Sequence, residues 1–476
     1  MKIQNKTSKQ FPFPGVGAGV GALTIAAMFL LISVTNPVQA QDLSSPAKGT
    51  LIVPQSSMAR PQDAGVRAHT NYEIFVPAGM QQLMNPSGPP SEVETPASLA
   101  CIYQLVPGPY PAGCKKSNTT TLPTGGSGTI VIVDAYDYPN ANSDLQAFSA
   151  YYGLPSISVT QIYANGTSTP PPTDPSGGWE GEEALDIEWA HAMAPNAGIV
   201  LVEAQSSLYT DLLDAEVVAT KLFQQVCTQL FCYQSFGPGE ISNSWGGPEF
   251  SGEVAYDGYF EPYSFCPFQA HCNSEGMVVF AAAGDNLQVN WPSVSPWVVS
   301  AGGTTINRDR FGNFVREGTW YTPPTGGGGG PSNGFEPIPT WQASLNSLLN
   351  GWRGTPDISF EANPASGVGV YDTNYPYSGW IPGYVGGTSL ASPALAGIVN
   401  SAGNFNSYGL VGKGYIPENA MLYSELGGAV TYPTDFTDIN QGTPGTNVCG
   451  ASGQYSVQYG WDFCTGVGTP LTLVGK

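Results

Sequence analysis

Apolar residues along this chain come in short unbroken runs. Thr129-Ile-Val-Ile-Val-Asp134 follows Gly128, and Gly198-Ile-Val-Leu-Val-Glu-Ala204, Gly276-Met-Val-Val-Phe-Ala-Ala-Ala-Gly284 and Trp297-Val-Val-Ser-Ala-Gly302 repeat the pattern. Runs that are apolar at successive positions suit strands covered on both faces, as in a parallel sheet. Segments with helical character lie between them, at 144–152, 182–194 and 208–226. The alternation predicts an α/β fold built on a parallel sheet, whose ligand sites gather at the carboxyl ends of the strands. Residues 41–95 are polar and Pro-rich with weak periodicity, and read as a leader or loosely packed arm. Gly326-Gly-Gly-Gly-Gly330 alone reads as a linker. Phe335-Glu-Pro-Ile-Pro-Thr-Trp-Gln342 just after it suits a loop packed on a domain, and no linker divides the strand pattern. One large domain is therefore expected over 96–476.

The first forty residues predict export. Lys2, Lys6 and Lys9 precede an apolar stretch, Gly21–Val34, and Val38-Gln-Ala40 supplies small residues for cleavage before Gln41. This is a signal-peptide pattern over 1–40. Counted from Gly15 the apolar run nears the length of an anchor helix, which is the competing reading. Beyond residue 40 stand eight cysteines, an even number that suits disulfides in an exported chain. Nearest-neighbour pairing gives 101–114, 227–232, 266–272 and 449–464, although eight cysteines allow about 105 pairings. Zinc would want Cys/His knuckles at regular spacing, and the only histidines are His69, His191 and His271.

Composition narrows the function classes. Charged residues are 11% of the chain, and the 36 acids against 15 bases give −21. Three of those bases lie in the first forty residues, which contain no acid, so the remainder is more acidic still. Phosphate backbones and anionic lipid surfaces repel such a chain, which excludes nucleic acid and peripheral membrane as partners. Gly (60) and Pro (42) are abundant, yet 41% hydrophobic and 11% aromatic residues supply a sizeable core and exclude disorder or collagen.

The chemistry begins at Gly386-Gly-Thr-Ser-Leu-Ala-Ser-Pro-Ala-Leu-Ala-Gly-Ile398, where glycines lead into a helix pattern. Ser389 at a helix N-terminus has free backbone N–H groups nearby that can stabilise an oxyanion. Its bland alternative is a simple N-cap. A serine nucleophile needs a base. His69 lies in the arm, His191 in Ala-His-Ala-Met and His271 between two cysteines, and each reads as solvated or structural. Glu180-Gly-Glu-Glu-Ala-Leu-Asp-Ile-Glu-Trp-Ala-His-Ala-Met-Ala-Pro195 is a better source. It predicts a helix with Glu182 and Asp186 stacked at i and i+4, and with Glu180, Glu183 and Glu188 on a solvated acidic face. Buried together, Glu182 and Asp186 can share a proton and titrate as a coupled pair.

Glu-x-x-x-Asp followed by Ile-Glu-x-Ala-x-Ala-x-Ala-Pro resembles the sedolisin family of serine-carboxyl peptidases, and the Gly-Thr-Ser segment is similar to the nucleophile segment of the wider subtilisin-like superfamily. Further segments agree in order. They are Ile241-Ser-Asn-Ser-Trp-Gly-Gly-Pro-Glu249, Ala281-Ala-Ala-Gly-Asp285, Gly328-Gly-Gly330 through Gln342, Arg353-Gly-Thr-Pro-Asp-Ile358, Gly367-Val-Gly-Val-Tyr-Asp372 and Trp461-Asp-Phe-Cys-Thr-Gly-Val-Gly468. The resemblance covers about residues 96–470. It implies a subtilisin-like α/β fold with a mainly parallel seven-stranded sheet flanked by helices, and an endopeptidase that works at acid pH on proteins or peptides. Carried over residue by residue, it implies Ser389 as nucleophile, Glu182 as general base and acid, Asp186 as its orienting partner and Asp285 as oxyanion stabiliser. It also implies one calcium ion near the C-terminus, on the carboxylates of Asp438 and Asp462 and the carbonyls of Ile439, Gln458 and Gly460, an all-oxygen set suited to a hard cation.

Two features depart from the family. The position of Gln458 is often Gly there, a change that a carbonyl ligand tolerates. The family also usually carries a large folded propeptide, where this chain has about 55 residues between signal and domain. A secreted, soluble monomer is expected. The rival readings are an inactive peptidase-like binding module, against which the intact Glu182, Asp186, Asp285 and Ser389 argue, and a His-based subtilisin.

Overall fold

The computed structural model describes residues 48–80, 88–223, 236–261, 277–403, 418–426, 431–440, 448–474 and 476, with the backbone alone of 225–227, 232–233 and 271–273. Asp42–Lys476 forms one compact unit. The signal-peptide reading of 1–40 falls outside the described residues. The disulfide pairs 227–232 and 266–272 fall outside the described side chains.

The strands that matter are β1 (Gly49–Ile52), β2 (His69–Thr70), β3 (Glu73–Pro77), β4 (Thr129–Ala135), β5 (Val159–Tyr163), β6 (Gly198–Ala204), β7 (Gly239–Asn243), β8 (Trp245–Pro248), β9 (Met277–Ala282), β10 (Val298–Arg308), β11 (Phe314–Thr319), β12 (Ile358–Glu361) and β13 (Tyr384–Gly386). The helices are α1 (Pro96–Ile102), α2 (Ala141–Tyr152), α3 (Gly178–Met193), α4 (Tyr209–Phe223) and α5 (Thr388–Ala402).

The main sheet runs β11-β10-β9-β7-β4-β6-β5, with β12 also paired to β10. Seven of its strands are parallel and β11 is antiparallel at the edge. The expected mainly parallel seven-stranded sheet is therefore present, with one antiparallel strand added. Its apolar runs alternate between the two faces. Ile130, Ile132, Val278 and Phe280 enter one core layer with α2, α3 and α5, whereas Val131, Val133, Val279 and Ala281 enter the other with α4. The expected helix over 208–226 ends at Phe223, and the backbone continues as a short strand at Gln225–Cys227.

Local chemistry sets the helix ends. Thr95 and Ser98 form a reciprocal capping box at α1, with Pro96 at the first helical position. Asp174 accepts from the N–H groups of Gly178 (3.1 Å) and Trp179 (3.3 Å), which caps α3. All sixteen residues of α3 are buried. This overturns the solvated-face reading of Glu180, Glu183 and Glu188, because the helix is packed against α5, α2 and the sheet. Glu180 accepts from Asp174 N (2.7 Å) and Glu188 from Tyr371 N (3.1 Å), while neither Glu183 oxygen has a partner. Helices α3 and α5 approach closely at Gly397, where a Cβ would stand 2.8 Å from Met193 Cβ and 2.9 Å from Ala190 O.

Gly326–Gly330 is buried rather than linker-like. Gly326 N donates to Asp285 O (3.0 Å) and Gly328 N to Gly284 O (2.7 Å), so this loop braces the strand end that carries Asp285. The arm also packs firmly. In it, β1 and β3 join β13 in a three-stranded sheet, and β2 pairs with β8. Disulfides join Cys101 to Cys114 and Cys449 to Cys464, as nearest-neighbour pairing predicts. No described helix is long and apolar enough to cross a membrane.

Candidate active site

The site forms where α5 starts against the carboxyl ends of β7 and β9. Gly387 precedes α5 at φ +124°, a conformation that side chains resist. Its absent Cβ would lie 2.6 Å from Asp285 Oδ2 and 2.1 Å from the Asn71 carbonyl, so only glycine lets the chain enter the helix there. Ser389 occupies the second position of α5 and is fully buried. Pro393 lies in the second turn of α5. Its missing N–H leaves the Ser389 carbonyl without an intrahelical donor, and the Ser244 hydroxyl approaches that carbonyl instead (3.3 Å).

Three carboxyls meet behind Ser389, and all are buried: Glu182 and Asp186, one turn apart on α3, and Asp134 near the end of β4. The Asn71 N–H is shared between Glu182 Oε2 (3.2 Å) and Ser389 Oγ (3.1 Å). The Ser389 hydroxyl donates to Ser244 O (3.0 Å). Asp186 accepts from the Ser244 hydroxyl (2.8 Å). Burial raises the Glu182 carboxyl well above its ordinary range, helped by the charge of Asp134 and opposed by hydrogen bonds from Ser389 and Asn71. Asp186 is raised by burial and then by Asp134 and Glu182. Asp134 is raised by burial and then by Glu203. Three adjacent acids out of water cannot all ionise, so the cluster holds protons above the ordinary carboxyl range.

Asp285 stands on the other side of Ser389. Its Oδ1 accepts from Thr388 N (2.8 Å) and Thr388 Oγ1 (2.9 Å), and its Oδ2 is buried without a partner. Burial raises its pKa, followed by the charge of Glu73, against the two Thr388 hydrogen bonds. A neutral Asp285 therefore has a free O–H to offer. The histidines are elsewhere or engaged differently. His191 is buried, contacts Pro155 O through Nε2 (2.9 Å), and is lowered to about 4 by burial. His69 contacts Thr70 O through Nδ1 (3.0 Å). The His271 side chain lies outside the described residues.

Residues 174–408 match the model of the subtilase family. Kumamolisin from Bacillus sp. (strain MN-32) is 30% identical over 405 residues, which cover 80% of this chain and 62% of kumamolisin. This match supports sedolisin-family identity for the chain. Sedolisin from Pseudomonas sp. (strain 101) is 28% identical over 368 residues, covering 74% of this chain and 58% of sedolisin. The chain thus spans about three fifths of the length of these curated relatives. The solved structure of Pseudomonas sedolisin, a serine-carboxyl proteinase complexed with two molecules of pseudo-iodotyrostatin, superposes with a TM-score of 0.57 at 25% identity, over 80% of this chain and 96% of that one.

Of the residues that the sedolisin resemblance singles out, Ser389, Glu182, Asp186 and Asp285 converge on one site. Asp438, Ile439, Gln458, Gly460 and Asp462 gather near the C-terminus. Asp438 Oδ1 accepts from Gly460 N (2.9 Å) and the Tyr432 hydroxyl (3.1 Å), and Asp462 Oδ2 accepts from Gln458 N (3.0 Å). The two carboxylates therefore both hold the 458–462 turn. Asp438 Oδ2 is buried with no partner, an orphan that a hard cation would satisfy. Carbonyls must complete such a set, because among the described residues no third Asp, Glu, His or Cys joins the pair. The donors present fit calcium.

Sequence reasoning missed Asp134, Ser244 and Asn71. Asp134 carries the same signal as Asp285, an acid at the carboxyl end of an apolar strand. Asn71 carries none, because its position depends on how the arm folds back.

Proposed function

We propose that this chain is an exported serine-carboxyl endopeptidase that hydrolyses peptide bonds in acid. What carries the reading is a buried serine at a helix N-terminus flanked by two kinds of carboxyl: Glu182 with Asp186 on one side, and Asp285 with a partnerless oxygen on the other. Glu182 takes the Ser389 proton as Oγ attacks the scissile carbonyl, then returns it to the leaving amine. Asp186 shares a proton with Glu182 and orients it. The Ser389 N–H and a neutral Asp285 face the developing oxyanion. Raised carboxyl pKa values support action in acid, since both the pair and Asp285 need protons to work. The 1–40 pattern and the two described disulfides support an extracellular location.

The test is turnover of a peptide library by purified protein across pH 2–8. Hydrolysis with a maximum below about pH 5 is expected. No turnover at any pH would favour an inactive binding module, against which the complete set of acids and serine stands.

Calcium, held by Asp438 and Asp462 with the carbonyls of Ile439, Gln458 and Gly460, would act as a structural clamp, lying among loops rather than at Ser389. A cation bound only by the folded state adds stability by mass action. Excess chelator should lower the melting temperature, and Asp462→Ala should mimic the loss. An unchanged melt, with no calcium found by elemental analysis, would remove the ion.

A further inference from the structure

Basic side chains are scarce here, 15 Lys and Arg against 36 Asp and Glu, so a basic group without an acid beside it is unusual. Lys116, Arg308 and Arg353 each pair with a carboxylate. Among the described residues, Arg60 and Arg67 do not. Both line one cavity of about 300 Å³, formed between the arm and the N-terminal end of α3. Arg67 Nη1 donates to the Ser207 hydroxyl (2.7 Å), and Arg60 is exposed.

His69 lines the same cavity and is 7% exposed. Its Nδ1 lies 3.0 Å from Thr70 O. A carbonyl only accepts, so Nδ1 carries the proton and Nε2 the free lone pair. Nε2 is buried with no partner. Burial holds the ring's pKa below its ordinary value, against the Thr70 hydrogen bond and the Asp63 charge. Two carboxyls also line the cavity. Asp174 is spent on the start of α3, where it accepts from Ser176 N, Gly178 N and Trp179 N and from the Ser176 hydroxyl. Asp63 balances one arginine. One guanidinium charge is left over, and a proton on His69 adds a second. The Tyr136 and Trp179 rings and the Ser176 and Ser207 hydroxyls complete the walls.

A buried nitrogen without a partner and guanidinium groups without counter-charges need the same complement, an anion with several oxygens. We propose that this cavity binds a small oxyanion of more than one negative charge, held by Arg60, Arg67 and His69. Guanidinium forks match paired oxygens. Nε2 takes a proton as the anion arrives and donates to it, because the anion's charge offsets the desolvation of the imidazolium. The serine hydroxyls donate to the remaining oxygens. All three cationic side chains belong to the arm, and the hydroxyls and rings belong to the domain, so a bound anion ties one to the other. Inorganic sulfate or phosphate and an organic polycarboxylate offer this chemistry alike, and the experiment separates them.

The experiment uses the full chain carrying Ser389→Ala, so that nothing is digested during the titration, and it needs no turnover. Sulfate, inorganic phosphate and citrate are titrated in by calorimetry at constant ionic strength, with the melting temperature followed alongside. Saturable binding of one anion per chain is expected, with a melting temperature that climbs with anion concentration. Sulfate keeps its charge over the range, so its affinity reports on the protein alone. That affinity should fall at least ~10-fold from about pH 5 to about pH 7, as His69 gives up its proton. His69→Gln should lose this pH dependence. Arg60→Gln, at an exposed position that leaves the fold alone, should weaken binding ~10-fold. Tighter binding of citrate would assign an organic carboxylate and tighter binding of sulfate or phosphate an inorganic ion, and either upholds the site. No saturable binding of any of the three would overturn it. Affinities left unchanged by both Arg60→Gln and His69→Gln would also overturn it, because the anion would then sit elsewhere.

Discussion

Ser389→Ala, Glu182→Gln and Asp186→Asn are each expected to lose activity by at least ~10³-fold while remaining folded, because groups acting as one catalytic unit fail together. The three contribute differently. Ser389 is proposed to supply the attacking oxygen. Glu182, one N–H away through Asn71, is the proposed carrier of its proton. Asp186 is the proposed proton-sharing partner of Glu182 and is itself held by the Ser244 hydroxyl. Glu182→Gln keeps the shape and removes the base. The measurement is kcat/KM on one peptide at the acid optimum, with circular dichroism as the folding control. Near-normal turnover in Glu182→Gln would mean that another base operates, and Asp134 would be the first to examine, since its charge raises both Glu182 and Asp186.

Asp285→Ala is expected to cost ~10²–10³ in rate, the usual loss of one oxyanion donor. Asp285→Asn is the more discriminating variant. An ionised Asp285 would repel the oxyanion, whereas a neutral one donates to it. Burial and the neighbouring Glu73 raise its pKa, so the donor form persists above the ordinary carboxyl range and is lost as pH climbs through the raised value. Wild-type activity should therefore fall from acid toward neutrality. Asn donates at every pH, more weakly. Asp285→Asn should be slower at the optimum and decline less steeply above it, the remaining decline coming from the Glu182/Asp186 pair. A variant profile parallel to wild type would defeat the role assigned to Asp285.

Much of this was legible in the chain itself. Unbroken apolar runs such as Thr129–Val133 can serve only strands covered on both faces, and they lie in the parallel sheet with side chains alternating between two cores. The i,i+4 spacing of Glu182 and Asp186 specifies one helix face, and the helix forms there. Periodicity did not reveal that α3 is covered on every side. Glu180, Glu183 and Glu188 look solvent-seeking in sequence, and their burial comes from tertiary neighbours such as Asp174 and Tyr371. Nor did local pattern disclose the arm. His69–Pro77 has no strong strand signal, and its order comes from ladders with β8 and β13, far away in sequence. The five glycines at 326–330 mimic a linker for a similar reason. Their meaning is close backbone approach, as at Gly328, where a Cβ would sit 2.1 Å from Ala283 O.

In the proposed reaction Ser389 attacks a peptide carbonyl with a carboxylate as its base. Its most direct test is the covalent intermediate. A slowly deacylating peptide ester is mixed with the purified enzyme at pH 4, quenched in strong acid, and the protein digested and mapped by mass. The acyl mass is expected on the fragment containing Ser389, much reduced in Glu182→Gln and absent in Ser389→Ala. An acyl group found on another residue, or ester turnover that persists in Ser389→Ala, would contradict it.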